Sequence, residues 1–303
     1  MTLSRRSFIR QTAGVGLALG AIPRLAHSAI SLGQFRLDVV SDGSLTLPGS
    51  FIFAPMPQDE LAGVLAPFDQ PLDELTPPCN CTLLRTGERV VLFDVGSGVD
   101  FSPNSGILVD SLDSLGVSPE EITDVVFTHA HPDHLWGLLD DFGDLLFPEA
   151  SFWMGQKEWD YWFNPNTVDE IGEAMASFAV GARRRMELIE DQVSLFGDAQ
   201  EIIPGVLARS SFGHTPGHMS FEVGSGADTA MILGDSIGNH HVAFERPEWP
   251  SGSDQDRELA VETRVALLDQ LSSSRMPVIG YHLPGGIGRV ETKDSHYRFV
   301  REV

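Results

Sequence analysis

The chain has 303 residues, 42% of them hydrophobic and 21% charged, which is enough for a large core and typical of a globular protein. Lysine and arginine number 20 against 43 aspartate and glutamate, a formal net charge of −23 at pH 7. Such a surface repels phosphate backbones, so nucleic acid is not an expected partner. Two cysteines in the whole chain exclude a disulfide scaffold.

The first residues have the pattern of an export signal. Adjacent arginines at positions 5 and 6 precede Ser-Phe-Ile, an uncharged stretch follows over residues 12–22, and Ala26-His27-Ser28 offers small residues to a signal peptidase. The arginine pair resembles the twin-arginine signal, which exports folded proteins. We therefore predict a cleavable signal over residues 1–28, a mature domain over 29–303, and a periplasmic or secreted protein. No run is long and apolar enough to hold the chain in a membrane once the signal is removed.

Behind this signal, short apolar runs alternate with helical patterns, which predicts one α/β domain whose loops lie at the strand ends. Strands are predicted at residues 36–40, 81–84, 90–93 and 125–127, near 202, 210 and 221, and at 230–233 and 277–279. Helices are predicted at residues 107–115, 167–196 and 256–271. Residues 55–78 are rich in Pro and Asp and predict a long loop.

Histidines concentrate directly after the strand predicted at 125–127. The run Thr-His-Ala-His-Pro-Asp-His places four potential ligands there: His129, His131, Asp133 and His134. Imidazole nitrogen and carboxylate oxygen are the ligands that borderline divalent metals prefer. His129 and His131 point to one side of an extended chain, and Pro132 turns the chain so that Asp133 and His134 can face a second ion. This segment predicts a metal site.

Three further predicted loops carry polar residues at strand ends. His214 and His218 follow the strand near 210, Asp235 follows the strand at 230–233, and His282 follows the strand at 277–279. Because α/β proteins gather their binding groups at strand ends, we expect these side chains in the same site.

Taken in this order, the residues resemble the metallo-β-lactamase superfamily over nearly all of the predicted mature domain. The resemblance implies an αβ/βα sandwich with two divalent metal ions in a shallow cleft between its halves. It implies that His129, His131 and His218 hold the first ion, that Asp133, His134 and His282 hold the second, and that Asp235 bridges both. Zinc is the expected metal, with manganese, iron or cobalt as alternatives, and relatives suggest a homodimer.

Within the superfamily, Ser41-Asp42-Gly43 and the run from Gly285 to Val290 resemble the methyl parathion hydrolase-like group. This implies a hydrolase in which a metal-bridging hydroxide cleaves an ester-type bond of an aryl ester, a phosphotriester or a lactone. Asp235 would hold the bridge and Asp133 would take up the proton, which makes these two the predicted catalytic residues. The alternatives are a lactonase of the quorum-quenching type and an exported metal- or ligand-binding protein without catalysis.

Two departures from the family pattern concern the substrate. Gly238 stands where homoserine lactonases are expected to have a tyrosine, which weakens the lactonase alternative, although Tyr281 beside His282 can lie close in space. Trp136 follows the Asp-His pair where many relatives carry a small residue, so its ring is a candidate pocket wall.

The remaining candidates are polar side chains near the predicted ligands. Asp94 matches a family position that orients a metal-bound histidine. His214 supports either the metal site or its own turn, and His240 and His241 either contact substrate or lie on a solvent-facing loop. Cys79 and Cys81 have no further soft ligands nearby in sequence and are read as structural.

Overall fold

The computed structural model describes residues 28–99 and 101–302; the predicted signal lies outside these residues except for Ser28. The described strands are β1 (Ala29–Leu32), β2 (Phe35–Ser44), β3 (Leu47–Pro48), β4 (Glu74–Leu75), β5 (Pro78–Thr86), β6 (Arg89–Phe93), β7 (Asp124–Val126), β8 (Ser151–Gly155), β9 (Val193–Phe196), β10 (Glu201–Ile203), β11 (Val206–Ser210), β12 (Met219–Ser225), β13 (Asp228–Ile232), β14 (Val278–Ile279), β15 (Ile287–Lys293) and β16 (His296–Arg301). The described α-helices are α1 (Gly49–Phe53), α2 (Gln58–Leu65), α3 (Leu108–Ser114), α4 (Pro132–Leu135), α5 (Gln156–Phe163), α6 (Thr167–Glu170), α7 (Ala176–Met186), α8 (Val242–Glu245) and α9 (Arg257–Ser274).

Two seven-stranded sheets form the centre of the fold. The first has the order β1-β2-β5-β6-β7-β8-β9 and the second the order β10-β11-β12-β13-β14-β15-β16, while β3 and β4 pair separately. Neighbouring strands are antiparallel except where β7 meets β6 and β8, β9 meets β8, and β14 meets β13. The chain therefore completes one sheet before it begins the other.

The sheets pack face to face through an apolar layer. Phe93 of the first sheet meets Phe221 of the second with ring centroids 5.2 Å apart, and Val126 and Ile279 are buried in the same layer. The residues in this layer come from alternating positions of buried strands, which bury one face of each sheet.

Helices cover the outer faces of both sheets. Leu112 of α3 and Met186 of α7 pack against the first sheet, and Leu268 and Leu271 of α9 pack against the second. The predicted αβ/βα sandwich is therefore confirmed. No described helix has the length and apolarity needed to cross a bilayer.

The segment from residue 49 to residue 68 forms a separate cover beside the second sheet. Leu61 and Leu65 of α2 lie one helical turn apart and are buried with Phe53, Val242 and Trp249. The predicted long loop at 55–78 is wrong here. One pair of apolar residues in a Pro-rich stretch is too short a pattern to reveal the helix from sequence.

The long helix predicted at 167–196 is also wrong. Gly172 has φ +91° and separates α6 from the turn that leads into α7, and α7 ends at Met186. Residues Val193–Phe196 then form β9 and pair with β8, since Val, Leu and Phe suit a strand that has a partner. The helix predicted at 256–271 is confirmed, with the Asp256 side chain accepting from the Leu259 N–H at its start.

Candidate metal centre

Four loops at the strand ends bring the predicted ligands together. The loop after β7 carries His129, His131, Asp133 and His134, and the loop between β11 and β12 carries His214 and His218. Asp235 follows β13, and His282 follows β14. These side chains are all buried or nearly so.

Pro132 decides how the first loop divides its ligands. His131 is extended with φ −64° and ψ 157°, as the residue before a proline tends to be, and α4 begins at Pro132. Asp133 and His134 therefore lie on a helical turn, away from the extended pair His129 and His131.

Asp133, His134, Asp235 and His282 form one compact group. The His134 Nε2 lies 3.3 Å from Asp235 Oδ1 and 3.5 Å from Asp133 Oδ2. The His282 Nε2 lies 3.2 Å from Asp235 Oδ2 and 3.3 Å from Asp133 Oδ2. One ligand atom from each residue falls within 4.8 Å of all the others, which is the spacing of a set that can share one ion.

A second group contains three imidazoles: His129, His131 and His214 likewise offer ligand atoms within 4.8 Å of one another. The His218 ring stands beside this group, 4.9 Å from the His129 ring, but its Nε2 accepts a hydrogen bond of 2.9 Å from the Asp235 N–H. The structure thus collects all seven predicted ligands around one cleft and adds His214 to them.

Buried polar atoms without hydrogen-bond partners show that the two groups fit divalent metal ions. Among the described residues, four buried side-chain atoms that face this centre have no hydrogen-bond partner: His129 Nε2, Asp133 Oδ2, His134 Nε2 and Asp235 Oδ1. Buried polar atoms normally find partners, so four convergent exceptions require an explanation. Nitrogen and oxygen lone pairs that point at one another are explained by a cation between them.

Each of these imidazoles is held from behind through its other nitrogen. Asp94 accepts from His134 Nδ1 at 2.8 Å and from the Thr128 N–H at 2.8 Å, which is the geometry of a residue that orients a metal-binding histidine. His282 Nδ1 donates to the Pro78 carbonyl at 2.8 Å, and Ser211 Oγ lies 2.8 Å from His218 Nδ1. Such outer partners fix the orientation and tautomer of a ring, and in His134 and His282 they leave Nε2 facing the centre.

Glu158, which sequence analysis missed, connects the two histidine loops. Its Oε1 accepts from the Ala130 N–H at 2.9 Å, and its Oε2 accepts from the Thr215 hydroxyl at 2.7 Å and the Gly217 N–H at 3.0 Å. Gly217 must be glycine, because a Cβ there would lie 2.0 Å from the Glu158 nitrogen. No local signal reveals Glu158, which is buried through partners far away in sequence.

The two groups differ in the direction of their pKa shifts. Burial lowers the pKa of His129, His131 and His218 well below the ordinary value, so these rings are neutral and have a lone pair available. Burial opposes a charge on His282 as well, but Asp235 and Asp133 outweigh it and raise the pKa of His282 to about 10. Asp235 and Asp133 likewise raise the pKa of His134 well above its ordinary value.

A cavity of about 780 Å³ opens onto this centre. His131, Asp133, Asp235 and His282 line one end. Apolar side chains form much of the remaining lining, and they include Leu45, Leu47, Phe51, Ile52, Met56, Leu75, Phe101, Phe178 and Trp249. The cover formed by residues 49–68 supplies several of them, so this helical segment bounds the cavity.

Among the substrate candidates, His240 and His241 line the cavity, as does Gly238. His241 Nδ1 accepts from the Val242 N–H at 2.9 Å, so the ring's proton is on Nε2. Burial, and then His240, lower the pKa of His241 to about 3, which keeps the ring neutral. Its ring centroid lies 6.0 Å from that of Phe53.

Trp136 and Tyr281 lie behind the cavity surface. The Trp136 ring packs against Phe101, with centroids 5.4 Å apart, and under the Arg185 guanidinium. Tyr281 donates to the Asp133 carbonyl and packs on His134, with ring centroids 3.8 Å apart. Cys79 and Cys81 are buried free thiols, and Cys81 Sγ lies 3.8 Å from the Tyr281 hydroxyl.

Comparison with protein families gives a match to the model of the metallo-beta-lactamase superfamily over residues 76–282. A curated relative, the uncharacterized protein YobT of Bacillus subtilis, is 24% identical over 201 residues, which are 65% of this chain and 80% of YobT.

Solved structures share the whole architecture. AidC, a dizinc quorum-quenching lactonase solved with the product N-hexanoyl-L-homoserine, has a TM-score of 0.85 and 25% identity over 92% of this chain and 98% of AidC. The hydrolase AbOPH has a TM-score of 0.84 and 24% identity over 91% of this chain and 97% of its own. A probable metal-dependent hydrolase from Staphylococcus aureus has a TM-score of 0.73 and 19% identity, over 90% of this chain and 100% of its own.

Proposed function

Because the chain belongs to the metallo-beta-lactamase superfamily, we propose that it is a metal-dependent hydrolase that cleaves ester-type bonds in neutral small molecules. The observation that carries this proposal is the set of four unpartnered ligand atoms at the end of a largely apolar cavity. A catalytic centre needs both features, because it must bind the ion and admit the substrate.

We assign seven side chains to two divalent ions, for which zinc is the first choice of metal. His129, His131 and His218 belong to one ion, Asp133, His134 and His282 to the other, and Asp235 to both. When bound, two such ions would supply an activated water, with its pKa lowered towards neutrality, and would polarise the substrate.

Three residues of the chain would orient a metal ligand, accept a proton and bind the substrate. Asp94 keeps the proton of His134 on Nδ1, so that Nε2 stays available as a ligand. Asp133, whose Oδ2 faces the centre without a hydrogen-bond partner, would take up the proton released during attack. The neutral His241 would offer its Nε2–H to an oxygen of the substrate, which an apolar cavity otherwise leaves unpaired.

The charge of the cavity supports a neutral substrate. Among the described residues that line it, Arg264 is the one lysine or arginine, and its guanidinium already donates to Asp254 and to two backbone carbonyls. A substrate carboxylate therefore finds no unpaired cation there apart from the ions. This favours aryl esters, phosphotriesters and lactones over thioesters with anionic groups.

A side-by-side assay tests the proposal. The metal-loaded chain from residue 29 onward is expected to hydrolyse at least one of an aryl phosphotriester, an aryl carboxylic ester and a long-chain γ-lactone. Asp235→Asn should lower kcat/KM by about 100-fold or more while the circular dichroism spectrum is unchanged, since the carboxamide is a poor metal ligand. Unchanged turnover in this variant would contradict the mechanism, and no turnover by the wild type would favour a non-catalytic binding protein.

A lactonase is the second candidate, and the similarity to AidC over 92% of the chain favours it. Gly238 provides no tyrosine hydroxyl for the lactone carbonyl, but His240 and His241 follow it in the same cavity wall. A higher kcat/KM for the lactone than for both aryl substrates would support this candidate over the methyl parathion hydrolase-like one. We also propose that the protein is exported, on the basis of the sequence at residues 1–28.

A further inference from the structure

Two buried charges next to the metal centre have no role in the metal site or the proton transfers proposed above. Arg264 of α9 and Asp254 in the loop before it are both buried and line the cavity. The Arg264 Nη1 donates to Asp254 Oδ2 at 3.3 Å, its Nε to the Pro247 carbonyl at 3.0 Å and its Nη2 to the Trp249 carbonyl at 2.7 Å. The guanidinium is therefore fixed, and it fixes one oxygen of Asp254.

The other oxygen of Asp254 determines the tautomer of His214. Asp254 Oδ1 lies 3.0 Å from His214 Nδ1. A carboxylate that is paired with a guanidinium only accepts hydrogen bonds, so His214 Nδ1 carries a proton and Nε2 is the nitrogen that can bind an ion. Asp94 acts on His134 in the same way at 2.8 Å.

The lone pair of His214 points into the metal centre. His214 Nε2 lies 3.0 Å from His131 Nδ1 and 3.4 Å from Asp235 Oδ2. Two neighbouring nitrogens that bind one zinc ion at about 2.0–2.1 Å each stand about 3 Å apart, which agrees with the first of these distances. His214 Nε2 therefore lies where it can share an ion with His131 Nδ1 and Asp235 Oδ2.

We propose that His214 is a further ligand of the ion held by His129 and His131, and that Asp254, fixed by Arg264, is its positioning residue. The inference rests on the proposed metal centre but not on any particular substrate. It gives this ion one imidazole more than the family resemblance implies.

Replacing Asp254 tests the assignment without displacing His214. The Gln255 N–H donates to the His214 carbonyl at 3.1 Å and the Asp256 N–H to the Gly213 carbonyl at 2.9 Å, so backbone bonds hold the two loops together. In Asp254→Asn the carboxamide oxygen faces Arg264, and its NH₂ faces His214 Nδ1. The His214 proton then moves to Nε2, which can no longer bind a metal.

The measurement is the number of zinc ions that the folded chain retains against increasing chelator, together with the visible spectrum of the cobalt-substituted chain. We expect Asp254→Asn and His214→Gln each to lower the affinity for one of the two ions by about 10–100-fold and to change the cobalt spectrum. Asp124→Asn is the matched control: this buried aspartate pairs with Arg89, and its replacement should leave both ions bound.

Two bound ions of wild-type affinity and an unchanged cobalt spectrum in the variants would overturn the proposal. If Asp254→Asn does not fold, His214→Gln decides the question alone. A wild-type chain that binds two ions but hydrolyses none of the three ester-type substrates would contradict the proposed function and leave the ligand assignment intact.

Discussion

At the scale of single residues, the centre depends on which nitrogen of each histidine carries the proton. His134 donates from Nδ1 to Asp94, and His282 donates from Nδ1 to the Pro78 carbonyl. His214 donates from Nδ1 to Asp254 in the same way. Val242 does the opposite for His241, because its N–H donates to Nδ1 and leaves the proton on Nε2. The same side chain is thus prepared as a ligand in one place and as a donor in another.

The low pKa of His241 predicts a pH-dependent stability. Burial lowers this pKa to about 3, whereas an unfolded histidine has a pKa of about 6.5. Between these values the unfolded chain binds the extra proton, so the free energy of unfolding falls as pH is lowered through this window. His241→Phe removes this loss, which amounts to about 2 kcal/mol between about pH 6.5 and about pH 4.5.

Denaturant unfolding of the wild type and of His241→Phe at both pH values measures this difference. The wild type should lose more stability than the variant on acidification. Equal losses in the two proteins would show that His241 is not held neutral by its surroundings.

At the scale of elements, Glu158 of α5 joins the loop after β7 to the loop between β11 and β12. One carboxylate receives four donors, the fourth being Trp162 Nε1 at 2.6 Å. Burial raises the pKa of Glu158, and these hydrogen bonds offset much of the effect.

Glu158→Gln should therefore weaken both loops. The carboxamide has one oxygen for four donors, and its NH₂ faces two of them, so we expect a loss of about 2–4 kcal/mol in unfolding free energy. Zinc affinity should fall with it, because Ala130 lies between His129 and His131. Glu190→Gln, at an exposed position, is the control. A variant as stable as the wild type would mean that the two loops hold their places without Glu158.

Element prediction from sequence succeeded where a period was long or a motif was dense. The apolar positions of α9 continue for several turns, and the run from His129 to His134 holds four ligands in six residues. It failed for α2, whose core contact is one turn long, and for β9, whose strand conformation depends on pairing with β8. The sequence also did not identify Glu158, Asp254 and Arg264 as part of the site, because only the folded chain brings their partners within reach.

At the scale of the whole molecule, two sheets carry the ligands on loops at strand ends, and the helical cover from residue 49 to residue 68 bounds the cavity beside them. The family could be recognised from the sequence because the predicted ligands follow the order along the chain that the family has. The cavity's apolar lining could not, since it combines residues near Leu45, Val242 and Trp249 that show no shared pattern in sequence. The predicted homodimer stays a prediction.

Export is a property of the whole chain and has its own test. Replacing both Arg5 and Arg6 by lysine should retain the protein in the cytoplasm, because the adjacent arginines are the feature that resembles a twin-arginine signal. Fractionation of cells expressing the two forms measures this. Equal amounts of wild type and variant in the periplasm or medium would contradict the predicted route.

Titration of the metal-free chain with zinc, with the hydrolysis rate of the best of the three ester-type substrates recorded at each step, tests whether the protein is a hydrolase built on two metal ions. We expect no rate without metal and a plateau at two equivalents per chain, since the ligand atoms fall into two separate groups. A rate that is independent of added metal, or that reaches its plateau at one equivalent, would contradict this expectation.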